Sequence, residues 1–434
     1  MRHHKTLSIL ILATCLLASE AHAITFNRVI SFGDSLSDVG NISSATLGIQ
    51  PGGSYFNGRF SNGPVWVEAL ANRTGIPATT HSRAGGNNYA HGGTTTADDF
   101  FSVSVLFFRL DFPNAGRQII EFLDDAPAIQ PDDLVTLWAG ANDLFNISGS
   151  LGSQGAARVD EMLANTTTSL NRLINAGARH IVVPNLPALG QTPDFGGGTQ
   201  LIDTFVESYN TQLTDLLDGF NTGSPATIYP LDVFEIGNTW VDDPGRFGFT
   251  NTTDAYLSNP VGDPNSYVFF DGVHPTARAH AHFGQAAWQL ILGGDMDGNG
   301  VLNAGDLRTI ENAIGSTNPL LITNVNADLV VDVLDAQHWL TELYGTLPGD
   351  FNLDRRVDLI DLSILATNFG GSGLYTFGNA TFDDAIDLID LSLLATNFGA
   401  DLNPIPEPVS MLLLLGLLCS YRKATGAVHD PIES

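Results

Sequence analysis

Short apolar runs alternate with polar, helix-like stretches between residues 28 and 143, and this alternation limits the possible folds most strongly. The runs at 28–32 and 134–138 are rich in β-branched and aromatic residues, and similar runs follow at 180–184 and 227–230. Strands that alternate with helices are typical of a parallel sheet covered on both faces. The pattern therefore predicts an α/β domain with a mainly parallel sheet.

Two polar motifs directly follow strands of this predicted sheet. Gly33, Asp34 and Ser35 come after the first strand, and the sequence Gly-Ala-Asn-Asp at 140–143 follows the run at 134–138. Open α/β sheets bind their ligands at the carboxyl ends of the strands. Both motifs are therefore expected at the same edge of the sheet.

A serine, a histidine and an aspartate occur in a pattern that suits nucleophilic catalysis. A serine hydroxyl needs a base within hydrogen-bond reach, and the base needs an acceptor that fixes its tautomer. Ser35 supplies the hydroxyl, while His274 and Asp271 supply the base and the acceptor. Taken singly, Gly-Asp-Ser is ordinary turn composition, and Asp-x-x-His can cap a helix that begins at Pro275.

Such a reaction also needs N–H donors aimed at the oxyanion that develops on the substrate. Gly93 offers a backbone N–H and Asn142 offers a side-chain amide. A Gly-x-Ser-x-Gly pentapeptide is absent from the sequence, which disfavours the α/β-hydrolase architecture.

These four blocks, in the order Ser, Gly, Asn, His, resemble the GDSL lipase and SGNH hydrolase family over residues 24–290. The resemblance implies a flavodoxin-like α/β/α sandwich and a serine ester hydrolase that needs no catalytic cofactor. It implies an oxyanion hole formed by the N–H groups of Ser35 and Gly93 and the amide of Asn142, beside the triad of Ser35, Asp271 and His274. Residues 58–66 resemble a segment of the larger bacterial and plant-type members.

The substrate stays open, because lipids, choline esters and acetylated polysaccharides are all handled by this family. The apolar residues 103–110 either line an acyl pocket or belong to the core. An acetyl-polysaccharide esterase is one alternative, and a surface adhesion or scaffolding protein that uses the hydrolase fold as a binding platform is another. For the remaining histidines we expect a structural role for His91 and solvated positions for His280 and His282.

An internal repeat with an offset of 29 residues follows the hydrolase region: residues 358–370 recur almost unchanged at 387–399. Two weaker copies begin at Asp295 and Asn324, which predicts four helix-loop units in two pairs over residues 294–403. This region holds 17 acidic and 3 basic residues.

The loop from Asp295 has oxygen-bearing side chains at positions 1, 3, 5, 9 and 12, a spacing that wraps oxygens around a hard cation. The repeats resemble dockerins, small all-α modules that bind structural Ca²⁺. The expected ligands are Asp295, Asp297, Asn299 and Asp306, and in the loop from residue 350 they are Asp350, Asn352, Asp354 and Asp361. Asp-rich turns without metal are the alternative. The resemblance loosely implies a cohesin-like partner or a cell-surface matrix.

Both ends of the chain carry features of targeting segments. Residues 1–23 read as a secretion signal, with a lipoprotein signal through Cys15 as the alternative. This bounds a hydrolase domain at residues 24–293. Residues 404–434 resemble a PEP-CTERM sorting signal, which is processed by an exosortase-like enzyme in Gram-negative bacteria; a short hydrophobic anchor is the alternative. The protein is therefore expected to be exported, either secreted or at the cell surface. The net charge of -29 argues against nucleic acid as a partner.

Overall fold

The protein is described by a computed structural model that covers residues 25–77, 79–125, 127–196, 201–297, 299, 301–316, 323–326 and 330–403. The chain divides into two compact units, Met1–His338 and Trp339–Ser434. The expected secretion signal and sorting signal lie outside the described residues. In the part of the chain that is described, no helix is both long enough and apolar enough to cross a membrane.

A four-stranded parallel sheet lies at the centre of the first unit. In chain order the strands of this unit are β1 (Arg28–Gly33), β2 (Phe100–Val105), β3 (Phe108–Pro113), β4 (Asp133–Trp138), β5 (His180–Pro184), β6 (Thr227–Leu231), β7 (Asn251–Ala255) and β8 (Tyr267–Phe269). The central sheet has the order β1, β4, β5, β6, while β2 pairs with β3 and β7 pairs with β8. The predicted α/β fold with a parallel sheet is confirmed.

An extended segment at residues 87–91 runs beside β1 on its free side. The Ser31 N–H donates to Asn87 O at 3.0 Å, and the Tyr89 N–H donates to Ser31 O at 2.7 Å. The His91 N–H then donates to Gly33 O at 3.0 Å. This ladder carries the segment that ends in Gly93 to the carboxyl end of β1.

Helices cover both faces of the sheet. Those of the first unit are α1 (Asn41–Ala45), α2 (Trp66–Arg73), α3 (Ala115–Asp125), α4 (Ala141–Phe145), α5 (Leu151–Asn175), α6 (Leu201–Gly223), α7 (Val233–Asp242), α8 (Ala277–Leu292), α9 (Ala304–Glu311) and α10 (Val333–His338). One core cluster packs α3, α5 and α6 against the side chains of Ile30 and Phe32. The other packs α2, α7 and α8 against Val29 and Leu134. Because both faces are covered, all six residues of β4 are buried.

His280 and His282 are buried, so the expectation that they are solvated is wrong. Helix α8 is covered on two sides, by α2 and by α7. The packing on α2 is close, because a Cβ on Gly284 would lie 2.8 Å from the carbonyl oxygen of Trp66. His280 Nδ1 accepts the Trp66 N–H at 3.3 Å. The ring of His282 lies 5.4 Å from that of Trp240. Burial lowers the pKa of each imidazole to about 3, which keeps both rings neutral.

The first two acidic loops belong to the first unit, and the boundary expected after residue 293 lies inside it. Gln285 Nε2 in α8 donates to Asn324 O at 3.2 Å. Arg246 forms an ion pair with Asp332 at 3.4 Å. These contacts connect residues 324 and 332 to the hydrolase fold.

The second unit contains α11 (Leu359–Asn368) and α12 (Leu388–Asn397), which repeat each other at the 29-residue offset. A Cβ on Gly349 would lie 2.8 Å from Leu394 in α12, and a Cβ on Gly378 would lie 2.9 Å from Leu365 in α11. Each glycine therefore permits close packing on the helix of the other repeat, since both have positive φ angles and no side chain.

The four acidic loops share one hydrogen-bond pattern. In each, the carboxylate at position 12 accepts the N–H groups of positions 3 and 9 of its own loop, at residues 297 and 303 for Asp306, 326 and 332 for Asp335, 352 and 358 for Asp361, and 381 and 387 for Asp390. Each loop is followed by a helix, α9 to α12 in turn. The sequence repeat is thus also a repeat of local structure.

Candidate active site

Ser35, His274 and Asp271 form one hydrogen-bonded chain at the carboxyl end of the sheet. Ser35 follows β1, and the other two residues lie in the turn between β8 and α8. His274 Nε2 lies 2.8 Å from Ser35 Oγ. His274 Nδ1 lies 2.7 Å from Asp271 Oδ2. Residues 239 positions apart in the sequence thus meet within hydrogen-bond reach.

The turn around Asp271 is held by its own carboxylate. Asp271 Oδ1 accepts the N–H groups of Val273 at 2.9 Å and His274 at 2.7 Å. The hydroxyl of Tyr55 donates to Asp271 Oδ2 at 2.6 Å. Sequence reasoning missed Tyr55, which lies 216 residues away in a region without a recognised motif. Its only sequence signal is its position three residues before the family-like segment 58–66.

Asp271 is ionised at neutral pH. Burial raises its pKa, but the hydrogen bond and charge of His274, with the bonds from Tyr55 and Val273, outweigh burial and lower it to about 2. A fixed negative charge therefore faces Nδ1 of His274, which orients the imidazole so that Nε2 points at Ser35.

Three N–H groups around Ser35 are available to a ligand. Among the described residues, no hydrogen-bond acceptor is found for the backbone N–H groups of Ser35 and Gly93. The amide of Asn142 donates one N–H to Thr94 O at 2.9 Å, which leaves its second N–H. The N–H of Gly92, by contrast, donates to Asp38 at 3.0 Å.

Two buried carboxylates connect the segments that carry these donors. Asp38, in the segment after Ser35, accepts the N–H groups of Gly92, Gly40 and Asn41 at 2.6–3.0 Å. Asp143, next to Asn142, accepts both the N–H and the hydroxyl of Thr96 at 2.9 Å. Burial raises the pKa of each carboxyl to about 6, against the opposing effect of these hydrogen bonds.

A cavity of about 410 Å³ opens beside Ser35 and His274. Its other lining residues are mainly apolar and include Phe60, Phe101, Val103, Phe145, Trp240 and Val268. The ring of Phe60, from the family-like segment 58–66, lies 5.1 Å from that of His274. A Cβ on Gly92 would lie 2.3 Å from the Phe60 ring, so glycine is required there. The cavity suits an apolar group bonded to a reacting carbon near Ser35 Oγ.

The remaining predicted site residues lie in the acidic loops. Carboxylate oxygens of Asp295, Asp297 and Asp306 lie within 4.8 Å of one another, and Asn299 belongs to the same loop. In the loop from residue 350, Asp350 accepts the hydroxyl of Thr346 at 2.6 Å. In the same loop, the amide of Asn352 donates to Asp354, and Asp361 bonds the loop backbone. Within the described residues, three acidic groups gather only in the first loop.

The fold and the site are those of an ester hydrolase, and comparison with known proteins gives its family. Residues 29–287 match the GDSL-like Lipase/Acylhydrolase family, and the chain belongs to that family. A phosphatidylcholine-sterol acyltransferase of Aeromonas hydrophila is 35% identical over 327 residues, with 61% of this chain and 90% of that protein covered.

Two further relatives are more distant. A thermolabile hemolysin of Vibrio parahaemolyticus is 26% identical over 282 residues, with 59% of this chain and 62% of the relative covered. A GDSL esterase/lipase of Arabidopsis thaliana is 28% identical over 303 residues, with 57% and 83% covered. The chain is an ester hydrolase.

Proposed function

We propose that the protein hydrolyses carboxylic esters through an acyl-serine intermediate on Ser35. The observation that carries this proposal is the continuous hydrogen-bonded chain from Ser35 through His274 to Asp271. His274 Nε2 accepts the Ser35 proton as Oγ attacks the ester carbonyl, and then returns it to the departing alcohol. Water deprotonated by the same nitrogen releases the acid and restores Ser35.

In this mechanism the carbonyl oxygen becomes an oxyanion held by the N–H groups of Ser35 and Gly93 and by the amide of Asn142. The choice of Gly93 over Gly92 is supported by the bond that already occupies the Gly92 N–H. Donors fixed before the reaction stabilise the transition state without reorganisation. Asp38 and Asp143 supply that fixation.

The apolar cavity supports an acyl chain longer than acetyl as the preferred substrate group. Aromatic and aliphatic side chains surround the volume next to Ser35, whereas a site for acetylated sugars would need polar groups for the hydroxyls. The relation to a phosphatidylcholine-sterol acyltransferase supports a lipid ester in particular.

The proposal is tested by Ser35→Ala with Ser44→Ala as the control, because Ser44 is an exposed serine of α1. We expect Ser35→Ala to remain folded and to lose at least about 10⁴-fold in turnover of soluble esters. Ser44→Ala should keep wild-type turnover. Wild-type-like activity in folded Ser35→Ala would exclude the acyl-serine route.

The same proposal extends to export and to calcium. Residues 1–23 and 404–434 direct the chain to the outside of a Gram-negative-type cell, where an exosortase-like enzyme processes the tail. The dockerin-like loops hold structural Ca²⁺, with Asp295, Asp297 and Asp306 as the best-supported ligands because their carboxylates cluster. A cohesin-like partner or the cell-surface matrix would bind the repeats.

A further inference from the structure

The antiparallel hairpin of β2 and β3 has one apolar and one polar face. Directly opposed residues share a face, and the register places Phe101 opposite Phe112, Val103 opposite Leu110, and Val105 opposite Phe108. The other face carries Ser102, Ser104, Arg109 and Asp111, with Phe100 opposite Pro113 at its base. The hairpin is therefore amphipathic from residue 101 to residue 112.

The apolar face runs without interruption from the protein core to solvent. Phe112 at its base is 2% exposed, and Phe101 and Val103 line the cavity beside Ser35. Beyond them, Phe108 is 69% exposed and Phe107 at the tip is 97% exposed. Only two residues of β2 follow Val103 before the turn, which is roughly 7 Å at the usual rise of a strand. A continuous apolar surface thus connects the cavity with the tip.

The turn at the tip exposes apolar side chains to water and has a non-glycine residue at a positive φ. Leu106 and Phe107 form the two-residue turn, and Leu106 is 76% exposed with a φ of 54°. Two-residue hairpin turns with a positive φ at the first residue favour glycine at that position, because a leucine side chain is strained there. A strained and exposed apolar tip of this kind indicates contact with another molecule.

A second exposed apolar loop borders the same cavity. Leu47 is 90% exposed and Ile49 is 46% exposed, and the next residue, Gln50, lines the cavity. Large exposed apolar groups on two loops beside one cavity are typical of a surface that meets an apolar partner.

We propose that the tip formed by residues 106–108 inserts into the surface of an aggregated lipid ester, and that the apolar hairpin face guides the acyl chain to Ser35. This inference rests on the proposed ester hydrolysis. The net charge of -29 favours a zwitterionic or uncharged lipid surface over an anionic one. Arg109 is the charged residue that lies nearest to the tip in the sequence. It belongs to the polar face, where its guanidinium lies 3.6 Å from the carboxylate of Asp111. Its position leaves the inserting face uncharged.

The test is the double variant Leu106→Gly/Phe107→Asn, which places glycine at the position of positive φ and a polar residue after it, and so preserves the hairpin. Neither residue lines the cavity. Flotation with phosphatidylcholine vesicles measures binding, and p-nitrophenyl butyrate below its solubility limit measures the active site. Leu359→Asn in the second unit is the matched control, because this leucine is 71% exposed.

We expect wild type and Leu359→Asn to float with vesicles, and the double variant to bind about 100-fold more weakly, since each lost side chain contributes about tenfold. Its turnover of phosphatidylcholine in vesicles should fall in parallel, while hydrolysis of p-nitrophenyl butyrate stays unchanged. Absence of vesicle binding by an active wild type, or equal loss in Leu359→Asn, overturns the inference. So does a wild-type dimer that the double variant dissociates, because a second copy would then cover the tip.

Failure of the proposed function is distinguishable from failure of this inference. A wild type that binds vesicles but leaves both esters intact contradicts the esterase mechanism alone. A wild type that hydrolyses p-nitrophenyl butyrate but does not float contradicts the hairpin proposal alone.

Discussion

Tyr55→Phe removes the hydroxyl that donates to Asp271 and keeps the ring, which packs 5.3 Å from Phe270. The pKa of Asp271 is about 2, against an ordinary value of 3.8. At about 1.4 kcal/mol per pKa unit, this difference contributes roughly 2.5 kcal/mol to the free energy of unfolding at neutral pH. Because His274 and Val273 N–H share the effect, we assign about 1 kcal/mol of it to Tyr55.

The sign of the pH dependence follows from the direction of the shift. A lowered pKa in the folded state gives stability that is present above pH 3.8 and is lost as the pH falls through 2. Tyr55→Phe should therefore lower the free energy of unfolding at pH 7 by about 1 kcal/mol, and the difference from wild type should shrink as the solution becomes acidic. Urea unfolding at a series of pH values measures both.

The same substitution should lower kcat for a soluble ester only about 3- to 10-fold, because Asp271 stays ionised and still faces His274. Asp271→Asn, in contrast, should lower kcat by about 10⁴-fold by favouring the wrong imidazole tautomer. Tyr256→Phe is the control, since the ring of Tyr256 also lies against Phe270, at 6.0 Å. Equal losses in Tyr55→Phe and Asp271→Asn, or a stability unchanged at every pH, would refute this reasoning.

Three further predictions concern other parts of the molecule. Asn142→Ala should lower kcat by about 10² to 10³ with little change in KM, as for the loss of one oxyanion donor; a change confined to KM would make Asn142 a binding residue. Burial raises the pKa of Asp34 to about 7, so its stabilising effect is complete below pH 3.8 and is lost as the pH rises through 7. In the wild type, this group should therefore lower the free energy of unfolding by about 4 kcal/mol between pH 4 and 8. Asp34→Asn should remove that decrease, and an unchanged dependence of the unfolding free energy on pH, measured by urea unfolding, would contradict the prediction. Millimolar calcium should raise the Tm of the full chain by a few degrees over the chelated protein, less so in Asp297→Ala, while soluble-ester turnover stays the same; identical melting curves would argue for acidic turns without metal.

The sheet and the placement of Ser35 and Asn142 at one edge of it were accessible from the sequence for one physical reason, whereas the pairing of Ser35 with His274 followed from the chemistry that a serine nucleophile needs. Parallel strands end at a common edge, so motifs that directly follow strands are brought together wherever they lie in the chain. The 29-residue repeat likewise predicted four loop-helix units, because a repeated pattern of caps and apolar positions repeats the local structure.

Other features depend on packing that leaves no local pattern. Tyr55 reaches Asp271 from a loop whose path is set by contacts of Phe60 and Phe270 with its ring. The burial of both His280 and His282 requires two covered sides of α8, and periodicity along one helix does not report a second neighbour. The exposure of the hairpin tip at residues 106–108 could not be predicted from the sequence either, since an apolar run is equally compatible with a buried core strand.

Asp38 and Asp143 each accept a backbone N–H from the segment at residues 92–96. These hydrogen bonds fix the segments that carry Ser35, Gly93 and Asn142 relative to one another, independently of the chain that connects them. Two exposed parts that lie between these segments, the loop that carries Leu47 and the hairpin of β2 and β3, can therefore gain or lose length without moving the donors. These two loops can therefore diverge between relatives and change the substrate that is accepted, while the catalytic residues keep their positions.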